Sequence, residues 1–311
     1  MKSKLGLKIL FGVGLFLLAL FIFFPLNNLK GTIFDSVYKE TGVLLNSDSI
    51  YLSLLGLPGI GMRNVKIALP SGDGELDLFS DRVTVRPSLS GLFPPVPGVS
   101  LKISELRKGG DIKVKLGKGG SSVYFYLDAE EINLEQVSAR NSTPPLAGIL
   151  SIDSDILLNE KDLPKSTGYL KLDVSNMMLN QQNISPPDPS MAAFSFIIPA
   201  MKIGKLHGDL NMKNGVLEIS QFKFGEDPAA DFKGTINGDF KIESAFEQSL
   251  LNIAMRLKLS QKILNNPEAK TFVSFLNSYQ TSPGEYGLKW SATIQDFTNF
   301  TVKAIPERLN L

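Results

Sequence analysis

Between Ile50 and Ile294 the chain returns again and again to one pattern: apolar, polar, apolar, polar, then a turn. Ile50, Leu52 and Leu54 alternate with their neighbours, as do Val83 and Val85, and Leu101 and Ile103. Ile112, Val114 and Leu116 alternate with Lys113 and Lys115, and Val123, Phe125 and Leu127 with Tyr124 and Tyr126. Leu170, Leu172 and Val174 follow the same rule, then Phe232 to Ile242, then Ile253, Met255, Leu257 and Leu259, then Tyr286 to Ile294. A period of two puts every apolar side chain of a strand on one face. Ser71-Gly72-Asp73-Gly74, Gly109-Gly110, Gly117-Lys118-Gly119-Gly120 and Asn237-Gly238 read as turns between the runs. Gaps this short favour antiparallel hairpins over crossover units. The fold class expected is mainly β: a wide, curved antiparallel sheet of about a dozen strands with a few short helices. A sheet with one apolar face and few helices to cover it must pair with another sheet, close into a barrel, or curl into a trough. The sequence leaves that choice open.

The stretch GKLHGDLNMKNGVLEIS (204–220) fixes one hairpin in detail. Asn214-Gly215 suits a two-residue turn, whose residues must tolerate positive φ. Folding there sets Met212 against Leu217 and Leu210 against Ile219, with Lys213 against Val216 and Asn211 against Glu218. His207, the only histidine, falls on the polar face and reads as a solvated strand residue. With no cysteine, the chain has no thiolate metal site and no disulfide. Any serine–histidine–aspartate triad would need His207, and no Gly-x-Ser-x-Gly elbow occurs. Thirty-two basic and 31 acidic residues give no overall charge to attract nucleic acid, and no basic cluster with interleaved aromatics appears.

Residues 9–26 (ILFGVGLFLLALFIFFPL) carry no charge. Eighteen helical residues would span about 27 Å, close to the hydrocarbon thickness of a bilayer. Lys2, Lys4 and Lys8 precede them, which favours a cytoplasmic N-terminus. A cleaved signal peptide is the competing reading, but the run is long for one and FIFF offers no small-x-small site. The expected organisation is a cytoplasmic tail at 1–8, a transmembrane signal anchor at 9–26 and a β-rich domain at 27–311 beyond the membrane. A sub-domain joint is expected near 186–199, where Pro186-Pro187-Asp188-Pro189 stands. Thr32 to Thr41 reads as a short helix opened by a Thr32/Asp35 capping box and stopped by Gly42. Asn266-Pro267-Glu268 starts another, with Phe272, Phe275, Leu276 and Tyr279 at helical spacing, expected to pack on the sheet.

Candidate sites are few. Asp153 and Asp155 share a strand face and form a pair a metal could use, although solvated strand carboxylates are far commoner and no third acidic ligand is nearby. Asp128, Glu130 and Glu131 read as a solvated acidic turn after a strand. Gly117 to Ser121 lacks the spacing of a phosphate loop and reads as a hairpin turn; GLPGIG (56–61) likewise reads as a turn and not a dinucleotide fingerprint. No catalytic, cofactor-binding or metal residue is assigned, and the chain reads as a non-enzyme.

The C-terminal third carries a resemblance. FSFIIPAMKIG (194–204) leads into KLHGDLNMKNGVLEISQFKF, followed by DFKGTINGDFKI (231–242), LLNIAMRLKLS (250–260), a short helix around Pro267 and the closing YGLKWSATIQDF (286–297). In this order, and with a single N-terminal anchor, these resemble the long form of the type II secretion system protein N family. The middle, with VTVRPSL (83–89) and GGDIKVKLG (109–117), is more distantly similar to AsmA-like envelope proteins. The first resemblance implies a non-enzymatic accessory component of a type II secretion apparatus, held in the inner membrane by one span, with a periplasmic β-domain that contacts other secretion subunits. The second implies a lipid-binding or lipid-transfer module that holds phospholipid in an apolar groove.

Overall fold

The fold is taken from a computed structural model that describes residues 26–53, 58–71, 74–90, 96–137, 146–184, 196–243, 245–299 and 305–309. The expected anchor at 9–26, apart from Leu26, and most of the expected joint at 186–199 lie outside the described residues. Among the described residues no helix is long and apolar enough to cross a membrane.

Eighteen strands follow one another: β1 (Leu44–Asn46), β2 (Ser49–Ser53), β3 (Gly59–Ser71), β4 (Gly74–Ser90), β5 (Val96–Leu106), β6 (Asp111–Gly119), β7 (Ser122–Asn133), β8 (Leu146–Asn159), β9 (Thr167–Leu179), β10 (Gln182–Ile184), β11 (Phe196–Ile198), β12 (Met201–Lys213), β13 (Val216–Phe224), β14 (Phe232–Lys241), β15 (Leu250–Leu259), β16 (Gln280–Ser282), β17 (Glu285–Thr293) and β18 (Glu307–Arg308). Of these eighteen strands among the described residues, sixteen make one antiparallel sheet; β10 and β11 pair separately. From β3 to β9 each strand pairs with the next, β9 then pairs with β12, and the meander resumes to β15 and β17. The path is linear, with β1 and β2 at one end and β16 and β18 at the other, so the described strands form an open sheet. Its edges are short and interrupted, which limits their use as templates for a further strand.

The predicted hairpin register holds: Met212 pairs with Leu217, Leu210 with Ile219, Lys213 with Val216 and Asn211 with Glu218. Asn214 (φ 55°) and Gly215 (φ 73°) supply the left-handed turn. Other readings need correction. Asn237-Gly238 is no turn but the middle of β14, where Gly238 faces Ile219 on one side and Ile253 on the other. Gly59 and Gly61 lie on β3, and a side chain at Gly61 would run into the Tyr51 ring, so these glycines admit close neighbours within a ladder. Asp128, Glu130 and Glu131 belong to β7 and form no turn after it.

Register carries the apolar alternation of single strands across the whole sheet. Ile60 pairs with Val85, then Leu101, Val114, Leu127, Ser154, Leu170, Leu210, Ile219, Gly238, Ile253 and Trp290. A parallel row runs from Val99 through Leu116, Phe125, Ile156, Gly168, Met212, Leu217, Phe240 and Leu251 to Ala292. Apart from Ser154, these two rows carry no polar side chain, and one face is apolar from β5 to β17.

Four strands depart from period two at one place each. Met62 and Val65, Ile103 and Leu106, Ala129 and Ile132, and Val174 and Met177 are all buried, although three residues apart. Between the members of each pair sits a non-glycine residue with positive φ: Asn64 (48°), Glu105 (57°), Glu131 (53°) and Asn176 (52°). A left-handed residue turns the chain by one extra position, so the next apolar side chain returns to the inner face. The same short device, MRNV, ISEL, AEEI and VSNM, recurs on β3, β5, β7 and β9.

Coverage of the apolar face is uneven. Helix α1 (Lys30–Thr41), preceded by the 3-10 turn Leu26–Leu29, lays Leu26, Ile33 and Phe34 against Ile50, Met62, Val65 and Val83. The expected Thr32/Asp35 box is not its cap: the helix begins two residues earlier, after Leu29, with no side-chain cap, and Gly42 closes it in the left-handed region. At the other end α2 (Gln261–Leu264), the 3-10 turn Pro267–Ala269, α3 (Lys270–Leu276) and the 3-10 turn Asn277–Tyr279 bury Ile263, Ala269, Leu276 and Tyr279 against Leu257, Leu259 and Tyr286. Asn266 caps as expected, accepting from Glu268 N at 3.0 Å. Phe275 does not share that packing; it is 57% exposed, against the expectation from spacing. The outer row is barer, with Val99 at 50% and its partner Leu116 at 52% exposure. A last helix, α4 (Ile294–Thr298), follows β17 and is opened by a Thr293/Asp296 capping box.

Candidate functional site

The face opposite the apolar one gathers the polar residues singled out in the sequence. Asp153 and Asp155 do share a face of β8, and the β7–β8 register sets Asp128 directly opposite Asp153 and Tyr126 opposite Asp155. Lys113 stands beyond Asp128, and Lys171 beyond Asp153. Like charges in direct cross-strand opposition repel, but here each carboxylate has a lysine on its other side. Three tyrosines donate to this group: Tyr124 to Asp155 at 3.1 Å, Tyr126 to Asp128 at 3.2 Å and Tyr169 to Asp153 at 3.2 Å. Burial, reinforced by the neighbouring carboxylates, pushes the Tyr124 and Tyr126 phenols up to about 12 and raises that of Tyr169. These hydroxyls therefore stay protonated as donors. Lys113 and Lys115 lie 5.5 and 4.7 Å from the Tyr126 ring centre, and Lys171 lies 5.6 Å from that of Tyr169.

Beside this network is an open hollow of about 660 Å³ lined by Glu105, Asp111, Asp128, Glu130, Glu131, Asp153 and Asp173, with Lys171 the one cation among the described residues that line it. Glu105 and Glu131 are left-handed residues of the recurring device, so the same bends that carry the apolar face onward collect carboxylates on the other side. A second hollow of about 510 Å³ adjoins it through Glu131, Ser151 and Asp173 and reaches His207. His207 is more than a solvated side chain. Its Nδ1 lies 2.7 Å from Asp173 Oδ1 on β9, and its Nε2 lies 3.2 Å from Asp209 Oδ2 on its own strand. The bond to Asp173 is the main cause of an imidazole pKa above its usual value. With both ring nitrogens committed to carboxylates, the ring works as a tie between β9 and β12 and has no free nitrogen to act as a base.

Among the described residues no group of three or more histidines, aspartates or glutamates is placed to hold a metal ion, so Asp128 and Asp153 remain a pair. Gly117 to Ser121 closes the β6–β7 hairpin, with Gly119 pairing Ser122 and Gly120-Ser121 at the tip. On the apolar face, Ser154 is fully buried between Leu127 and Leu170, and its hydroxyl has no hydrogen-bond partner among the described residues. Sequence reasoning missed the meeting of Asp128 with Asp153. The β7–β8 register shifts between Ala129 and Ile132, and no turn signal reports that shift. The signal was present in AEEI, where two apolar residues three apart break the alternation.

No protein-family model, no curated protein and no solved structure matches this chain.

Proposed function

We propose that this chain is a non-enzymatic accessory component of a type II protein secretion apparatus in the bacterial inner membrane, and that its periplasmic β-sheet works as a scaffold. The observation that carries the scaffold reading is the apolar face: a continuous row from Val99 to Ala292, half bare at Val99 and Leu116, on a sheet whose described strands do not close on themselves. Apolar surface left open along a rigid ladder favours an occupant. The edges are poor candidates for strand addition, since β1, β16 and β18 run two or three residues each and β2 only five. Contact by the face is therefore the better supported mode. The secretion role itself rests on the resemblance of the C-terminal third. A photo-crosslinking residue at Leu116 or Val99, in cells that secrete through this pathway, is expected to capture secretion subunits. Secretion unchanged on deletion of the gene would remove the reading.

A second reading is favoured by the same face: an acyl chain of a phospholipid lying in it, as the AsmA-like resemblance implies. The apolar row contains no charge across its strands, and an acyl chain needs only such a surface. Full-length chain extracted in a neutral detergent is then expected to carry phospholipid in stoichiometric amount by mass spectrometry. Lipid-free protein that still crosslinks to secretion subunits would favour the scaffold.

A further inference from the structure

The polar face holds a third hollow, of about 270 Å³, between β14, β15, β16 and β17. Lys233, Arg256 and Lys258 line it, with Thr235, Thr281 and Leu309. Its floor is Gly287, paired to Arg256 in register; a Cβ there would come within 2.9 Å of Leu309 Cβ and 3.1 Å of Thr281 Cγ2, so only glycine leaves the hollow open. Two features of its charge are unusual for a ladder. Lys233 stands directly opposite Lys258, a like-charge pair of the kind that destabilises antiparallel strands. The only carboxylate lining the hollow among the described residues, Glu285, is already engaged at both oxygens, by Lys258 at 2.9 Å and by Ser282 at 2.8 Å. Lys233 turns to the Pro228 carbonyl at 3.2 Å. The Arg256 guanidinium, exposed beside the glycine floor, has no hydrogen bond or ion pair among the described residues.

We propose that this hollow binds an anionic group of phosphate size, with Arg256 as its principal ligand and Lys233 and Lys258 as charge support. A guanidinium offers two parallel donors to a phosphate or carboxylate. An anion seated between Lys233 and Lys258 would also relieve their opposition. The site lies on the face opposite the apolar rows and is independent of either reading of that face.

Equilibrium dialysis of the full-length chain in a neutral detergent against labelled inorganic phosphate tests it. Saturable binding of one anion per chain is expected, weakened about tenfold in Arg256→Gln, as loss of a charge-assisted bond implies, and less in Arg256→Lys. Lys233→Gln should weaken it too, which covers the case of an Arg256→Gln chain that does not fold. Binding that fails to saturate, or that is equal in wild type, Arg256→Gln and Lys233→Gln, overturns the proposal. Mixed micelles identify the source. Retention of phosphatidylglycerol lost in Arg256→Gln points to a lipid headgroup, and competition by glycerol 3-phosphate alone points to a soluble phosphate ester.

Discussion

Asp128 on β7 stands directly opposite Asp153 on β8, and neither is left to the other: Lys113 flanks the first and Lys171 the second in one cross-sheet row. Such a row is stable only as a set. Removing Lys171 leaves two facing carboxylates with one cation between them. Lys171→Met is expected to lower stability by up to about 1 kcal/mol, the range for exposed pairs. Asp153→Asn in that background should restore most of the loss, since the amide still accepts from Tyr169. Urea unfolding of the two single variants and the double variant measures the coupling; additive effects would show that the row does not act together.

His207 links stability to pH. Its folded pKa is raised, so the tie to Asp173 and Asp209 contributes fully below the unfolded value near 6.5 and is lost as pH rises through the folded value. The wild-type advantage over His207→Gln should therefore be larger at pH 6 than at pH 9. The side chain is 38% exposed, so solvent screens the tie and this advantage stays below about 1 kcal/mol, too little to open the long β9–β12 ladder. Urea midpoints at the two pH values, with the imidazole titrated by NMR in a chain that has one histidine, check both statements. A pKa at or below 6.5 would show that the two carboxylates do not hold the ring.

Asp231 is the opposite case, a buried carboxylate that ties three elements. It is 5% exposed and accepts from Lys202 N at 3.1 Å, Ser260 Oγ at 3.1 Å and Lys262 Nζ at 3.0 Å. Burial opposes its charge, but these donors together hold its pKa below the usual range. Asp231→Ala leaves the Lys202 amide and the Ser260 hydroxyl without their acceptor where β12 meets the start of α2, and a loss of about 1–3 kcal/mol is expected. Asp231→Asn, which keeps one acceptor, should lose less. Because the folded pKa is depressed, wild-type stability from this group is present above the unfolded value and falls away as pH drops through the folded one. Thermal unfolding at pH 7 and pH 3 in the three chains reads it.

How far these groups could be foreseen depends on what fixes each of them. The β12–β13 hairpin was legible because Asn214-Gly215 sets the register and the apolar pairs confirm it. The same dipeptide type misleads at Asn237-Gly238, where glycine is needed for close approach between strands; a Cβ at Gly238 would run into the Asn252 carbonyl. Asp153 and Asp155 were legible as neighbours on one face, but their partner Asp128 was not. That contact depends on a register shift set by backbone conformation at Glu131. Asp231 gave no sequence signal at all, because its three donors lie 29 to 31 residues away.

The recurring left-handed residue suggests a test of the fold's own rule. Glutamate is ill suited to positive φ, a strain of about 1–2 kcal/mol, while glycine enters that region freely but loses about 0.5–1 kcal/mol of unfolded-state entropy. Glu131→Gly is therefore expected to hold or slightly raise stability. Glu131→Val, whose branched side chain resists φ of 53°, should lower it by at least 1 kcal/mol. If β7 instead keeps plain alternation through this point, both variants would behave as ordinary strand substitutions, and valine, the better strand former, would be the more stable of the two. Urea midpoints rank the three chains. The comparison isolates the backbone conformation, since Glu131 is exposed and its side chain has no core contact to lose.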